Sequence, residues 1–205
     1  KHSISKFQRY NARPSNKSIS GRIPPNIIIS LTSFPERINE VHHCIKTLMD
    51  QTFQPDMIIL WLAREQFPRG IDELPSQLTA LCKHGLTIEW CEDLRSYKKL
   101  IPALIKYPDA TIITTDDDVY YPKTWLEGLR KAYRKNTNCI CCYRAAIISV
   151  ENGIVKREHP QKNRKYNCPT LLHQQTGCGG VLYPAHIFGP DVVNRSIFMS
   201  VAPTN

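Results

Sequence analysis

Residues 110–125 read ATIITTDDDVYYPKTW, and the fold turns on that order. Residues 110–115 are apolar or β-branched throughout, the pattern of a strand buried on both faces of a parallel sheet. Three carboxylates follow at once, Asp116, Asp117 and Asp118. Pro122 then opens a helical stretch to about Lys135, proline being favoured in a first helical turn. Strand, acid-bearing loop and helix in succession make one unit of an α/β protein.

The same unit recurs upstream. Residues 26–32 (NIIISLT) form a strand entered through Pro24-Pro25, residues 57–62 (MIILWL) a second after Pro55, and residues 86–91 a third. Between them, residues 36–50 place Ile38, Val41, Ile45, Leu48 and Met49 on one helical face. Residues 74–84 read as a short helical stretch ending near Gly85, and residues 97–106 as a helix with Pro102 in its first turn or at a kink. This alternation predicts a three-layer α/β/α sandwich around a mostly parallel, Rossmann-like sheet. After residue 135 the rhythm fades. Residues 139–150 read as a fifth strand or hairpin arm, Glu151-Asn152-Gly153 as a hairpin turn, residues 156–167 as a basic loop, and residues 177–183 as a Gly-rich entry to a short strand. Residues 1–24 read as a flexible basic arm and residues 25–205 as one domain.

Composition narrows the function. Of 205 residues, 41% are hydrophobic and 22% charged, which suits a folded domain, and the formal charge of +9 favours anionic partners. No run approaches the ~20 apolar residues of a transmembrane helix. The cations fall in small clusters at Lys98-Lys99, 130–135 and 156–165 rather than in a stripe interleaved with aromatics, which argues against nucleic acid. An anionic membrane face, met peripherally, explains the charge as well, although residues 130–135 read first as a solvated helix face. The eight cysteines form no paired CxxC, so the reading is reduced thiols in a cytoplasmic protein, with Cys139, Cys141 and Cys142 as small buried hydrophobes. Cys168, His173 and Cys178 suggest metal ligands by spacing, without an obvious fourth. His42-His43 reads as a helix pair at the surface or partly buried, not catalytic, and Trp61, Trp90 and Trp125 as core.

Ligands of open α/β sheets bind beyond the carboxyl ends of the strands. At one such end stand three consecutive acids, which repel one another unless a positive charge lies between them. Mg²⁺ or Mn²⁺ supplies it, since both take hard oxygen ligands and share their shell with substrate phosphates. Extended backbone points alternate side chains the same way, so Asp116 and Asp118 are expected to face one site. The plain alternative is a solvated acidic turn.

The segment TTDDDVYYPKTWL resembles the DXD segment of GT-A-fold glycosyltransferases. IIISLTSFPERI, DLRSYKKLIPAL and TGCGGVLYP resemble, in the same order, the opening strand, base-binding segment and Gly-rich sugar pocket of family 2-like enzymes that build bacterial surface polysaccharide. The resemblance spans roughly residues 25–190. It implies a metal-dependent hexosyl transfer from a nucleotide-sugar donor, a UDP-sugar, to a glycan or glycolipid acceptor. Thr32, Phe34 and Arg37 would lie by base and ribose, and Asp93 would accept from the base. Lys98 or Lys99 would neutralise diphosphate. Asp116 would contact ribose or metal, Asp117 would stand beside it in the donor site, and Asp118 would bind the metal. Gly179 and Gly180 would let the sugar approach the backbone. In similar enzymes the general base follows the Gly-rich segment, where only Asp191 is available here, so the base is expected beyond Asn205. Two other classes compete. A sugar nucleotidyltransferase shares the layout but usually has a Gly-rich signature where this chain reads TSFPERI. A basic binding module for anionic lipid or nucleic acid would carry the three acids incidentally.

Overall fold

The computed structural model describes residues 27–158 and 169–201. The expected arm at 1–24, Cys168 of the candidate metal set, most of the basic loop and residues 202–205 lie outside that range.

Four strands, β1 (Ile27–Thr32), β2 (Met57–Ala63), β3 (Leu86–Cys91) and β4 (Thr111–Thr114), are mutually parallel. β5 (Cys141–Cys142) and β9 (Val181–Tyr183) complete the sheet in the order β3-β2-β1-β4-β9-β5, with β9 antiparallel to both its neighbours. Side-chain alternation divides the strands between two layers. Ile27, Ile29 and Leu31 face one side with Ile58, Leu60, Leu62 and Ile113. Against them pack α1 (Val41–Met49), α2 (Ser76–Thr79) and α4 (Trp125–Lys135), through Val41, Ile45, Leu48, Leu78, Leu126 and Leu129. Ile28, Ile59, Trp61 and Ile112 face the other side, under Ala103 of α3 (Ile101–Lys106). That is the three-layer α/β/α arrangement. Each fully buried Ile or Leu contributes about 1.5–3 kcal/mol, so the apolar strand runs fix the sheet.

Two buried polar side chains tie the layers to the site. Ser30 Oγ, in the central strand, donates to the Lys99 carbonyl at 2.6 Å and accepts from Trp61 Nε1 at 3.0 Å. Gln51 Nε2 donates to the Thr47 and Pro122 carbonyls while its Oε1 accepts from Leu126 N, fixing the end of α1 to the start of α4.

Several boundaries differ from the sequence reading. The helix expected over 36–50 starts at Val41, because residues 35–40 turn. Pro122 precedes α4 by three residues, and its carbonyl accepts from Trp125 N. The stretch 97–106 divides into a 3₁₀ turn, Arg95–Lys99, and then α3 with Pro102 in its first turn. Residues 139–150 split between sheets: β5 joins the main one, while β6 (Ala145–Glu151) pairs with β7 (Ile154–Glu158) and β8 (His173–Gln175) in a second. The β6–β7 hairpin turns at Asn152 and Gly153, both with positive φ (52° and 79°), as expected. A short helix α5 (Arg195–Val201) follows, its Phe198 ring 4.7 Å from that of Tyr97.

Candidate functional site

The chain runs outward from β1 to β3 and then crosses back to β4, so the strand order reverses between β1 and β4. In a parallel sheet that reversal opens a crevice at the carboxyl ends of the two strands. A cleft of about 540 Å³ lies there. It draws on the loop after each parallel strand: Thr32, Ser33, Phe34 and Arg37 after β1, Gln66 after β2, residues 93–99 after β3, and Thr115 to Asp118 after β4. Nine residues singled out from the sequence, Thr32, Phe34, Arg37, Asp93, Lys98, Lys99, Asp116, Asp117 and Asp118, line this one cleft.

The acid loop is held from below. Thr115 N donates to the Ser30 carbonyl, Asp116 N to Tyr121 Oη at 3.0 Å, and Cys44 Sγ to the Asp116 carbonyl at 3.3 Å. Burial pushes the Cys44 thiol up to about 12, so it stays a neutral donor. Beyond Thr114 the chain is no longer extended, and Asp117 and Asp118 lie in a turn. The alternation rule therefore lapses. The two acids that converge are Asp117 and Asp118, not Asp116 and Asp118: a single nitrogen, Arg37 Nη1, lies 3.0 Å from Asp117 Oδ1 and 2.8 Å from Asp118 Oδ2. Asp117 Oδ2 also accepts from Ser33 Oγ at 2.6 Å. Asp116, in the same cleft, pairs instead with Lys99, its Oδ1 2.5 Å from Nζ.

Charge balance is thus supplied by the protein's own cations. Among the described residues, no group of three or more His, Cys, Asp or Glu side chains is arranged to cage a metal ion. What the cleft does have is two carboxylates already converging on one positive centre, Arg37 Nη1, with the Asp118 side chain half exposed to the cleft. Such a donor set suits a hard divalent cation that brings its remaining ligands with a phosphate substrate.

The opposite wall is built on Asp93. Lys98 Nζ, almost fully buried, donates to Asp93 Oδ1 at 2.9 Å and to Gln66 Oε1 at 3.2 Å. Arg95 N also donates to Oδ1, and Gln66 Nε2 to Oδ2 at 3.0 Å. Burial pushes the Asp93 carboxyl up, but the hydrogen bonds from Lys98 and Arg95 N together with their charges outweigh it and hold it below the usual range. Lys98 is therefore spent on orienting Asp93, and Lys99 is the more open of the two lysines. Above, Arg37 lies over the Phe34 ring, 5.3 Å from its centroid, forming a flat cation–π rim.

Gly179 and Gly180 do not line the cleft. Their lack of side chains serves Trp125: its Nε1 donates to the Gly179 carbonyl at 2.8 Å, and a Cβ on Gly180 would stand 2.3 Å from its ring. Gly180 has a φ of +82° as well. The glycine that does approach the acids is Gly177, where a Cβ would lie 3.1 Å from both Asp116 Oδ1 and Lys99 Nζ. Asp191 sits in the exposed 3₁₀ turn Pro190–Val193, outside the cleft. Sequence reading passed over Gln66, Arg95, Ser96 and Gly177. Gln66 follows the end of β2, and Arg95 and Ser96 stood within the quoted DLRSYKKLIPAL, which was the available signal. Gly177 stood within the quoted Gly-rich segment.

No protein-family profile matches the chain, and no curated protein matches it. Among solved structures it is similar to the crystal structure of 4-diphosphocytidyl-2C-methyl-D-erythritol synthase, at 9% identity over 78% of this chain and 75% of that one, with a TM-score of 0.46.

Proposed function

We propose that the cleft binds a nucleoside diphosphate sugar and that the protein is a glycosyltransferase. The observation that carries this reading is the convergence of Asp117 and Asp118 on the Arg37 guanidinium at the β1–β4 crevice, with the Lys99–Asp116 pair in the same cleft. In this reading the nucleoside lies between Phe34 and Asp93, which accepts from the base. Thr32, whose Oγ1 donates to the Trp61 carbonyl at 2.8 Å, shapes the floor there. Asp117 and Asp118 hold a divalent cation, Mn²⁺ or Mg²⁺, which when bound acts as a Lewis acid on the diphosphate. Lys99, positioned through Ser30 and Asp116, stabilises negative charge growing on the leaving diphosphate. Asp116 keeps Lys99 in place and reaches the ribose side. The acceptor is a glycan or glycolipid.

Nucleotidyl transfer is the second reading. Four cations, Arg37, Arg95, Lys98 and Lys99, surround the cleft, a complement that also suits a triphosphate. The glycine-free loop TSFPERI after β1 counts against it. Calorimetry separates the two. UDP binding that strengthens with Mn²⁺ and is lost in Asp118→Ala supports glycosyl transfer. A nucleoside triphosphate preferred over UDP and UDP-sugars supports nucleotidyl transfer. Binding to polynucleotide alone, with steep salt dependence, overturns both.

A further inference from the structure

Arg37 occupies the spot where a cation would sit. One nitrogen bridges two carboxylates of adjacent residues, at 3.0 and 2.8 Å, while the side chain remains nearly half exposed (46%) and stacks on Phe34. Nothing buries it there. The guanidinium is thus held by the acids rather than by packing, and Phe34 offers it a surface on which to swing. A divalent cation and a guanidinium compete for the Asp117–Asp118 pair, because like charges at that spacing repel.

We infer that Arg37 is a resident counter-ion of the acid loop, displaced when a divalent cation arrives and handed to the diphosphate that comes with it. This rests on the diphosphate reading above. Three consequences follow. Metal alone binds weakly, because it must displace a paired arginine. Diphosphate alone also binds weakly, because Arg37 is engaged. Together they bind well, because each ligand pays the other's displacement cost. The residue thereby couples two ligands, and linkage requires the coupling to be reciprocal. A lysine in its place could meet only part of the exchange, since it presents a point charge rather than a fork.

The test is a titration of the full chain with Mn²⁺ alone, read by the loss of the free-ion electron paramagnetic resonance signal, and then with UDP at fixed Mn²⁺. Arg37→Gln is expected to bind Mn²⁺ alone about tenfold more tightly than the unmodified chain, the scale of releasing two partly exposed ion pairs. The factor by which UDP strengthens Mn²⁺ binding is expected to shrink in the same variant, with Arg37→Lys in between. Lys106→Gln removes a cation outside the cleft, paired with Glu89, and is expected to change neither. Unchanged Mn²⁺ affinity in Arg37→Gln overturns the inference, as does an equal gain in Lys106→Gln. If UDP fails to bind the unmodified chain, the diphosphate reading falls, and the manganese titration alone decides whether Arg37 guards the acids.

Discussion

Lys99 Nζ lies 2.5 Å from Asp116 Oδ1, so the acid loop after β4 and the basic turn after β3 meet as an ion pair across the mouth of the cleft. Both partners are partly exposed, and the backbone on each side is fixed by Ser30: its Oγ donates to the Lys99 carbonyl and its carbonyl accepts from Thr115 N. One buried serine in the central strand therefore sets the spacing of two charged loops.

Gly177 backs onto that pair. In Gly177→Ala the new methyl would press on Asp116 Oδ1 and Lys99 Nζ at 3.1 Å, and the pair must shift by a few tenths of an ångström. Stability is expected to change little, by less than about 1 kcal/mol, while Mn²⁺-dependent UDP binding weakens about tenfold. Calorimetric titration beside a urea melt checks it; equal affinity for the two proteins would disprove it.

Gly180→Ala is expected to do the reverse. Its methyl would collide with the Trp125 ring at 2.3 Å, in a backbone conformation with φ of +82° that side chains rarely adopt. The expected loss is about 2–4 kcal/mol in urea denaturation. Trp125→Phe loses the bond to the Gly179 carbonyl but frees space, so the double variant is expected to be more stable than the sum of the two losses.

Lys98 supports Asp93 from within the fold. Lys98→Met leaves Asp93 without its buried cation and is expected to cost about 1–2 kcal/mol at pH 7 and to weaken UDP binding. Because the folded-state carboxyl titrates below its ordinary value, the pair stabilises the fold above the unfolded pKa of about 4 and ceases to do so as pH falls through the lower folded value. The gap in melting temperature between the two proteins should hold from pH 7 to about 5 and narrow below about 4. A gap that widens toward acid would contradict the assignment.

Cys44 and Cys82 give a chemical check on the packing beneath the acid loop. Cys44 is buried with its thiol pushed up to about 12, whereas Cys82 is exposed with its thiol raised less. Iodoacetamide at pH 8 is expected to label Cys82 in the folded protein and spare Cys44 until denaturant is added, as read by peptide mass spectrometry.

The sequence by itself determined the sheet. Ile27 to Leu31, Ile58 to Leu62 and Ile112-Ile113 are apolar on both faces apart from the hydrogen-bonded Ser30, and a strand with no solvated face can only be buried between two layers. It also determined where to look, since strand ends in such sheets collect ligands, and the acids were legible for that reason, whereas Asp93 and both lysines were reached through the resemblance carried by DLRSYKKLIPAL. Tertiary structure alone decided the pairings. Which acids converge depends on the turn that follows Thr114, a local geometry that alternation along a strand cannot foresee. That Lys98 serves Asp93 while Lys99 serves Asp116 depends on a 3₁₀ turn directing neighbouring side chains to opposite walls. That Gly179 and Gly180 answer to Trp125 depends on a contact across 54 residues of chain. Hydrophobic patterning is a property of short segments and survives in one dimension; hydrogen-bonded charge pairs are made between segments, and only the folded chain brings them within reach.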